Sequence, residues 1–396
     1  MKKGNCLLIK NTRAVLAHSV TPPINILIKN GKIADISDNI TSFECDEIDV
    51  NGAYSLAGFI DVHVHGGFNH DFMDGTIQSY EEIIKGHLKK GTTLLLPTAM
   101  TASRQELLRF IDTYLEFKKK SDYSCIAAGL HLEGPYFSNT NNKSRGAQNK
   151  KTIREIDFNE VKLLLQRANG NIVRWDAAPE IPNALKFARM MKEIGIICSI
   201  AHTDATAEEA ISGFNAGFSH VTHFYNAITA YKKRDQVVTA GVVEAAYIND
   251  DITIELICDG KHIPKACMLL ALKIKGDKVI GITDAMRLAG SDETTGKLGS
   301  IKNGSEVIVD GGVAKLPDMS SFAGSICTMD HALKVICKDF GIDIVRASKM
   351  LSAAPAKHIG VYDKYGSLEI GKEADIVIVN SDYSIKNVIK SGHLIE

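Results

Sequence analysis

The chain has 396 residues, of which 23% are charged and 45% are hydrophobic, a composition typical of globular proteins. Its length suits one large α/β domain together with a smaller second domain. The net charge of -1, without a long basic stretch, argues against a nucleic-acid-binding protein and against attachment to an anionic membrane.

The N-terminal stretch MKKGNCLLIKNTRAVLA starts with basic residues, but Lys10, Asn11 and Arg13 interrupt its apolar part. A signal peptide has an uninterrupted apolar region, and no segment of the sequence approaches the length of a membrane-spanning helix. The eight cysteines form no CxxC pair, which argues against a zinc ribbon and against a thioredoxin-like site. We therefore expect a cytoplasmic protein with reduced thiols.

Short strand-like runs separated by turn signals make up residues 1–57. The pair Asn30-Gly31 between two apolar runs is a typical hairpin signal. Residues 359–396 have the same character, because strand-like and turn-like segments alternate there without a helix-length stretch. This pattern predicts a small β-sandwich domain built from both termini, with residues 58–358 inserted between its two parts.

Strand-like and helix-like segments alternate in the inserted region. Helical periodicity is clear in SRQELLRFIDTYLEFKKK and in TAEEAISGFNAG, which ends in glycine as helices often do. Eight near-continuous apolar strands favour a TIM-like (β/α)8 barrel. An open doubly wound sheet is the alternative, but it predicts a glycine-rich phosphate loop, and the sequence has no such motif. The candidate strands are FIDVHVHG, TTLLLPTA, CIAAGLHLEG, IVRWDAAPE, GIICSIAH, FSHVTHFYNA, ITIELICDG and KVIGITDA.

The first candidate strand ends in two histidines, His63 and His65, which are two residues apart. Side chains alternate across a strand, so both histidines point to the same side, with Asp61 below them. Two buried imidazoles need partners, and a metal ion, which binds neutral imidazole, provides one. Two structural histidines with hydrogen-bond partners are the alternative.

Polar side chains also end other candidate strands, where a barrel carries its chemistry. Histidines and carboxylates from five strand ends are His63, His65, His131, Glu133, His202, His223 and Asp284. Each has a structural alternative, since His202 and Asp284 could cap helices and Glu133 could form an ion pair. Because these groups converge, the sequence predicts a metal site. Nitrogen and oxygen ligands of this kind suit zinc, iron, manganese or cobalt rather than calcium.

The sixth candidate strand offers two histidines, His220 and His223. Alternation with a period of two places His220 toward the helix layer and His223 toward the barrel interior. His223 is therefore the predicted ligand of the pair.

With these residues identified, the chain resembles the amidohydrolase superfamily over essentially its whole length, and within it the N-acetylglucosamine-6-phosphate deacetylases. LAGFIDVHVHGG is similar to the superfamily's first metal-binding strand, and GLHLEGPYFS followed by RGAQ is similar to the deacetylase signature. The segments SIAHTDAT, VTHFYNAI, CDGKHI, GITDAM and FAGSICTMDHAL follow in the family's order, and GSLEIGKEADIVIVN resembles the closing β segment. The resemblance implies metal-dependent hydrolysis of N-acetylglucosamine 6-phosphate to glucosamine 6-phosphate and acetate, in amino-sugar catabolism or recycling.

The resemblance also implies metal ligands. Glu133, His202 and His223 match the main metal site of the family. His63 and His65 match a second site that only some members possess. We therefore expect a divalent metal cofactor, one or two ions per subunit, of zinc, iron, manganese or cobalt.

The general base and the substrate contacts are implied in the same way. Asp284 matches the general base, which takes a proton from water and delivers it to the leaving amine. The sugar-phosphate contacts are matched by Asn226, Ala227, Arg234 and His262. Gln148 matches a position near the acetyl group, and Ala147 before it is a further substrate-binding position. A loop over the sugar is matched by Phe322, Ala323 and Gly324.

Arg234 would come from the partner subunit of a homodimer, as the resemblance implies. The segment YNAITAYKKRD departs from the family's usual NAM followed by a segment with histidine and arginine. Ile228 stands in place of methionine, and Lys232 and Lys233 are inserted before the arginine. These departures concern phosphate recognition rather than the hydrolytic centre.

Three alternatives to this function remain open. A deacetylase for N-acetylgalactosamine 6-phosphate could carry nearly the same motifs, because the two sugars differ by the placement of one hydroxyl group. Another amidohydrolase could act on a different amide, although many of these use a carbamylated lysine where this chain offers Glu133. A non-enzymatic scaffold of the same fold should lack ligands or the base, and this sequence contains them all.

Overall fold

The computed structural model of the protein describes residues 6–40, 45–234 and 236–395, apart from the side chains of Asn142 and Arg234. The strands in the first third of the chain are β1 (Cys6–Val15), β2 (Val20–Lys29), β3 (Lys32–Ser37), β4 (Asp46–Asp49), β5 (Tyr54–Ala57), β6 (Phe59–Val64), β7 (Gly66–Gly67), β8 (His70–Asp71), β9 (Thr92–Ala99) and β10 (Leu130–Tyr136). Those that follow are β11 (Ile172–Ala177), β12 (Ile197–Ile200), β13 (Phe218–Val221), β14 (Lys232–Arg234), β15 (Val237–Thr239), β16 (Thr253–Ile257), β17 (Val279–Ile282), β18 (Thr295–Leu298), β19 (Ser305–Asp310), β20 (Val313–Lys315), β21 (Ile376–Val379), β22 (Ile385–Lys390) and β23 (His393–Ile395).

The helices lie almost entirely between β6 and β21. They are α1 (Ile77–Lys89), α2 (Arg104–Lys120), α3 (Asn142–Arg145), α4 (Phe158–Ala168), α5 (Ala184–Glu193), α6 (Ala207–Ala216), α7 (Val242–Ile248), α8 (Lys265–Lys275), α9 (Met329–Lys334), α10 (Ile344–Ser348) and α11 (Ala354–His358). Short 3-10 turns occur at Phe72–Asp74, Ser124–Ile126 and Gly276–Lys278, and π-helical turns at Val335–Asp339 and Lys349–Ala353.

Eight strands form the sheet that carries the candidate site, in the order β6, β9, β10, β11, β12, β13, β16, β17. Neighbours from β9 to β17 pair in parallel, and a parallel bridge between Val64 and Ala285 joins the two ends of the sheet. All residues of β6 and β9 are buried, as expected for strands covered on both faces. The predicted (β/α)8 barrel is confirmed.

Each candidate strand overlaps one of these eight strands, but several predicted strands extend too far, and the third candidate strand ends two residues before β10 does. The sixth observed strand, β13, ends at Val221, and the eighth, β17, ends at Ile282. His223 and Asp284 therefore lie in the loops just after their strands. This placement matters for the site because loop backbone is free to turn where strand backbone is not.

Local sequence signals explain where the barrel helices begin and end. Helices α2 and α6 each start with a capping box, in which Ser103 pairs with Glu106 and Thr206 pairs with Glu209. Helix α6 ends at Gly217, which has a φ of 137°, and a Cβ atom there would lie 2.7 Å from the carbonyl oxygen of Ala188. Glycine is required at that turn because no other residue fits it.

The other large sheet takes strands from both ends of the chain, in the order β23, β22, β21, β5, β1, β2, β3, with β4 paired to β1. The C-terminal strand β21 pairs antiparallel with β5, so Ile378 lies opposite Ser55. Alternate apolar residues of these strands share one buried cluster, which includes Leu7, Ile9, Ile26, Ile28, Ile376 and Ile378. The prediction of a small β domain built from both termini is confirmed, whereas the boundaries at residues 57 and 358 stay a prediction.

The described chain divides into two compact units. One comprises the segment that ends at Asp61, the segment Ile84–Leu95 and the segment that begins at Thr328. The other comprises Val62–Ile83 and Leu96–Cys327, and it contains all the candidate site residues. Within the described ranges, no helix has both the length and the apolar character that crossing a membrane requires.

Cys6 and Cys45 form a disulfide, with their Cα atoms 4.8 Å apart. Cys6 begins β1, and Cys45 precedes β4, which pairs with β1 in parallel and sets Leu7 opposite Asp46. The expectation that the thiols are reduced is therefore wrong for this pair. Strand pairing brings together residues that are 39 positions apart, which their spacing in the sequence does not reveal. The other six cysteines form no disulfide in the described structure.

Candidate active site

The candidate ligands lie at the carboxyl end of the barrel strands or in the loops that follow. His63 lies within β6 and Glu133 within β10, whereas His202, His223 and Asp284 follow the ends of their strands. These last three residues have positive φ angles of 45°, 27° and 49°. Positive φ is uncommon for residues other than glycine and is often found at functional sites. The turns redirect the three side chains after the strands have ended.

Two groups of three potential ligands share one carboxylate. In the first group, Oε1 of Glu133 lies 3.0 Å from Nε2 of His202 and 3.1 Å from Nε2 of His223. In the second group, Oε2 of Glu133 lies 3.4 Å from Nε2 of His65, and Oε1 lies 3.8 Å from Nε2 of His63. All five residues are buried. We call these the first and the second donor group.

The outer nitrogen of each histidine ring already has an acceptor. Nδ1 of His202 lies 3.0 Å from the carbonyl oxygen of Ser144, and Nδ1 of His223 lies 3.1 Å from that of Asn226. Nδ1 of His65 lies 3.3 Å from the carbonyl oxygen of Thr98. A carbonyl only accepts, so each Nδ1 carries the proton, and Nε2 is the position left for either a second proton or a metal ion.

His63 follows the same rule with a carboxylate as its acceptor, because its Nδ1 lies 2.7 Å from Oε1 of Glu255. Nε2 of His63 and Nε2 of His65 are then 3.2 Å apart, and Nε2 of His202 and Nε2 of His223 are 3.1 Å apart. Imidazole nitrogens oriented by acceptors on their far side, together with one carboxylate, form a donor set that suits a transition metal ion. The residues present therefore fit the metal that their arrangement implies.

Without a metal, the carboxylates favour protonated imidazoles. Burial alone would lower the pKa of His65, but Asp284 and Glu133 outweigh it and raise this pKa to about 9. Burial likewise opposes the charge of His223, but Glu133 raises its pKa to about 9. The pKa of Glu133 lies well below its usual range because His202 and His223 outweigh its burial. Metal binding must displace these protons, so metal affinity should rise with pH.

Asp284 lies beside the second donor group. Its Oδ1 atom lies 3.3 Å from Nε2 of His65 and 3.4 Å from Nε2 of His63. Burial would raise the pKa of Asp284, but His63 and His65 outweigh it and keep this pKa below its usual value. The carboxylate is therefore ionised at neutral pH and can accept a proton.

Gln148 anchors the shared carboxylate. Its Oε1 accepts hydrogen bonds from the backbone N–H of Thr101 at 3.1 Å and from the hydroxyl of Thr101 at 2.7 Å. A backbone N–H can only donate, so the amide orientation is determined and Nε2 donates to Oε2 of Glu133 at 2.7 Å. Gln148 thus holds Glu133 in position between the two donor groups.

A cavity of about 150 Å³ opens above the donor groups. Its lining contains most of the predicted substrate-binding residues, namely Ala147, Gln148, Asn226, Ala227, His262, Phe322 and Gly324. Ala323 is buried beside the cavity, where it packs with Met100 and Met286. Arg234 ends strand β14, but its side chain lies outside the described residues, so its predicted phosphate contact stays a prediction.

His262 lines the cavity and is a candidate for binding a polar group of a ligand. Its Nδ1 lies 2.7 Å from Oδ2 of Asp259, whose other oxygen accepts the backbone N–H groups of Lys261 and His262. The ring packs edge-on against Phe322 with the centroids 4.8 Å apart. Asp259 therefore fixes the ring and leaves Nε2 available to a ligand in the cavity.

Two histidines take places that the sequence pattern did not predict. His131 belongs to neither donor group, and its Nε2 lies 2.9 Å from Oδ2 of Asp176 instead. The placement of His220 toward the helix layer is wrong. Its Nε2 lies 3.2 Å from Glu255 inside the barrel, and it is fully buried. His223 also faces inward because the chain turns after Val221, so alternation no longer applies there.

Helix capping does not explain His202, since Thr206 is the residue that caps helix α6. Sequence reasoning missed three buried charged residues under the donor groups, namely Arg174, Asp176 and Glu255. A signal for them exists in the sequence. IVRWDA and TIELI are apolar strands that carry charged residues, and a buried charge requires a partner.

Known proteins match this chain over most of its length. The model of the amidohydrolase family matches residues 54–395. The chain is 33% identical over 394 residues to N-acetylglucosamine-6-phosphate deacetylase of Bacillus subtilis, covering 98% of this chain and 96% of that protein. It is 29% identical over 336 residues to N-acetylgalactosamine-6-phosphate deacetylase of Escherichia coli O157:H7, covering 85% and 86%. The crystal structure of N-acetylglucosamine-6-phosphate deacetylase from Pasteurella multocida superposes with a TM-score of 0.90 at 28% identity, covering 98% of this chain and 99% of that one.

Proposed function

The chain belongs to the amidohydrolase family, and from this premise we propose that it hydrolyses N-acetylglucosamine 6-phosphate to glucosamine 6-phosphate and acetate. The observation that carries the proposal is the shared carboxylate of Glu133 between two histidine pairs, with Asp284 within 3.4 Å of the second pair. This arrangement provides ligands for a metal and a base beside them, and most of these residues line a cavity of about 150 Å³. The reaction would belong to amino-sugar catabolism or recycling.

We assign the main metal site to the first donor group, Glu133, His202 and His223, and a second site to His63 and His65 with Glu133. Their nitrogen and oxygen atoms suit zinc, iron, manganese or cobalt. A divalent ion bound there lowers the pKa of water and polarises a carbonyl oxygen. Gln148 keeps the carboxylate of Glu133 oriented toward both groups.

Asp284 is the proposed proton carrier. Its ionised carboxylate accepts the proton of the attacking water at Oδ1 and then delivers it to the amide nitrogen, because an amine leaves only in its protonated form. Without a metal, the Nε2 atoms of His63 and His65 lie beside Oδ1 and favour the ionised state of Asp284, and a cation held there would favour the same state.

The phosphate end of the substrate is assigned to His262, to Asn226 and Ala227, and to Arg234 from the partner subunit of a homodimer. Charge-assisted hydrogen bonds to phosphate are strong and convert remote binding into positioning of the amide. Asp259 supports this role by holding the His262 ring in place. A cytoplasmic location fits a substrate that is a phosphorylated sugar.

A comparison of the two epimers tests the proposed substrate. Acetate release by the metal-loaded protein should show a higher kcat/KM for N-acetylglucosamine 6-phosphate than for N-acetylgalactosamine 6-phosphate. The reverse order would identify the protein as an N-acetylgalactosamine-6-phosphate deacetylase, as in the Escherichia coli relative. Activity on neither sugar would point to another amide.

Replacing His262 by alanine should lower kcat/KM for the phosphorylated substrate far more than kcat/KM for the analogue without phosphate. Each charged hydrogen bond that is lost costs about 1.5–3 kcal/mol, which is about 10- to 150-fold in kcat/KM. Steady-state assays on N-acetylglucosamine 6-phosphate and on N-acetylglucosamine measure the difference. His18→Ala, which changes an exposed histidine, is the matched control. Equal losses on both substrates would rule out a phosphate contact.

Mixing two inactive variants tests whether Arg234 acts across a dimer interface. In heterodimers of Arg234→Ala and Asp284→Asn subunits, one of the two sites has both its own Asp284 and an intact partner arginine. We therefore expect heterodimers, isolated with two affinity tags, to regain activity toward half of the native level. An arginine that acts within its own subunit would leave both sites defective, and the heterodimers would stay inactive.

A further inference from the structure

A buried network of charged side chains lies inside the barrel next to the second donor group. Arg174, Asp176 and Glu255 have no exposed surface at all. Nε of Arg174 lies 3.0 Å from Oδ1 of Asp176, and Nη2 of Arg174 lies 3.1 Å from Oε1 of Glu255. Burial of three charges is unfavourable unless they pair, and here a single guanidinium lies between two carboxylates.

Glu255 is the member of this network that contacts both donor groups. Its Oε1 accepts a hydrogen bond from Nδ1 of His63 at 2.7 Å and from the backbone N–H of His223 at 2.9 Å. Its Oε2 lies 3.2 Å from Nε2 of His220 and accepts from Arg174. Asp176, in contrast, contacts Arg174, His131 and Thr222 and none of the five proposed ligands.

We infer that Glu255 is a positioning residue that prepares His63 for metal binding and thereby determines whether the second donor group holds an ion. The carboxylate accepts the Nδ1 proton of His63, which keeps Nε2 directed at His65 and Glu133. The three other ligand histidines use backbone carbonyl oxygens for this purpose, so only His63 depends on a side chain. The inference rests on the proposed metal site and extends it.

Arg174 compensates for the buried negative charge of Glu255. A carboxylate in this position accepts two hydrogen bonds from the metal ligands, and these alone would not compensate for its burial. Arg174 donates to both carboxylate oxygens of Glu255 and keeps the carboxylate ionised, and Asp176 in turn holds Arg174. The network thus supplies His63 with an acceptor of full negative charge, which raises the basicity of the ring as a ligand.

Cobalt binding to the metal-free protein tests the inference without any assay of activity. Calorimetric titration with Co2+ should resolve two ions per native subunit. In Glu255→Gln, we expect the affinity for the second ion to fall by about 10–100-fold, the loss typical for partners that orient a metal ligand. Binding of the first ion should change much less, because its histidines are oriented by backbone carbonyl groups.

Asp176→Asn is the matched control, since it alters the same buried network but contacts no ligand. Both variants should keep the native circular dichroism spectrum, and Asp176→Asn should keep both ions. Equal loss of cobalt in the two variants would overturn the inference, because the effect would then be general loosening of the barrel. Native protein that binds a single ion would also overturn it.

A second variant covers the case in which Glu255→Gln does not fold. Glu255→Asp keeps the negative charge that pairs with Arg174, but its shorter side chain withdraws the carboxylate from Nδ1 of His63, so the protein should fold while the second ion remains weakly bound. Tight binding of both ions by Glu255→Asp would contradict the inference. Failure of the proposed function is a separate result, because cobalt binding can be measured whether or not the protein hydrolyses an amino sugar.

Discussion

Replacement of Asp284 by asparagine should lower turnover by roughly 10²–10⁴-fold, the range typical of general acid–base groups. Asparagine has nearly the same size as aspartate, but it cannot accept a proton in the working pH range. The metal content should therefore stay near that of the native protein. Substrate binding should also change little, because the proton is transferred mainly in the transition state.

The pH dependence of the native reaction should contain an acidic limb from the same group. The pKa of Asp284 is lowered in the folded protein because His63 and His65 outweigh its burial. The base is ionised above this pKa, and the rate should fall as the pH drops through it. In Asp284→Asn, that limb should flatten, since the titrating carboxylate is absent.

Measurements of kcat and metal content on purified Asp284→Asn and on a control variant test whether Asp284 carries the proton. Asp112→Asn changes a half-buried aspartate of helix α2 that pairs with Arg167, and it should behave as the native protein does. Near-normal turnover of Asp284→Asn with the metal in place would exclude Asp284 as the proton carrier, and the proposed mechanism would fail.

Replacement of His202 by asparagine should remove the ion of the first donor group and the activity together. His202 supplies one of the three ligand atoms of that group, whereas the second donor group keeps all of its ligands. The loss of affinity should exceed the roughly 10–100-fold that follows removal of an outer partner of a ligand. Elemental analysis after reconstitution with zinc or cobalt, combined with acetate-release assays, measures both effects.

His131→Asn provides the comparison, because His131 is also a buried histidine on a barrel strand but lies outside both donor groups. It should lower stability, since Asp176 loses a partner, and leave the metal content unchanged. If His202→Asn kept the full metal content of the native protein and its activity, the first donor group would not be the main metal site. If His131→Asn lost metal to the same degree, burial rather than ligation would explain the result.

Much of the fold follows from the sequence because the signals are local. Apolar runs predict the eight barrel strands, and β9, TTLLLPTA, has the same bounds in the structure as in the sequence pattern. Capping residues such as Ser103 and Glu106 mark the start of α2. These features depend on residues only a few positions apart, so each can be recognised without knowledge of the rest of the chain.

The metal ligands could also be predicted from the sequence, and the reason lies in the topology of the barrel. Parallel strands of a barrel all end at one rim, so polar residues at strand ends must converge even though they are far apart in sequence. His63 satisfies this rule directly, since it is the penultimate residue of its strand, whereas Glu133 lies in the middle of β10, which continues to Tyr136. The positions of His202, His223 and Asp284 depend in addition on backbone turns of positive φ.

The amino-acid sequence alone therefore determined the barrel, the terminal β domain and the set of residues at the rim, because periodicity and topology require them. Only the tertiary structure decided which of those residues meet. The alternation of side chains along a strand gave the wrong direction for His220, because this side chain pairs with Glu255 inside the barrel. The sequence pattern also did not indicate the disulfide between Cys6 and Cys45 or the contact between Glu255 and His63. Such contacts join residues up to 192 positions apart, and their geometry depends on strand register and loop turns that no local pattern encodes.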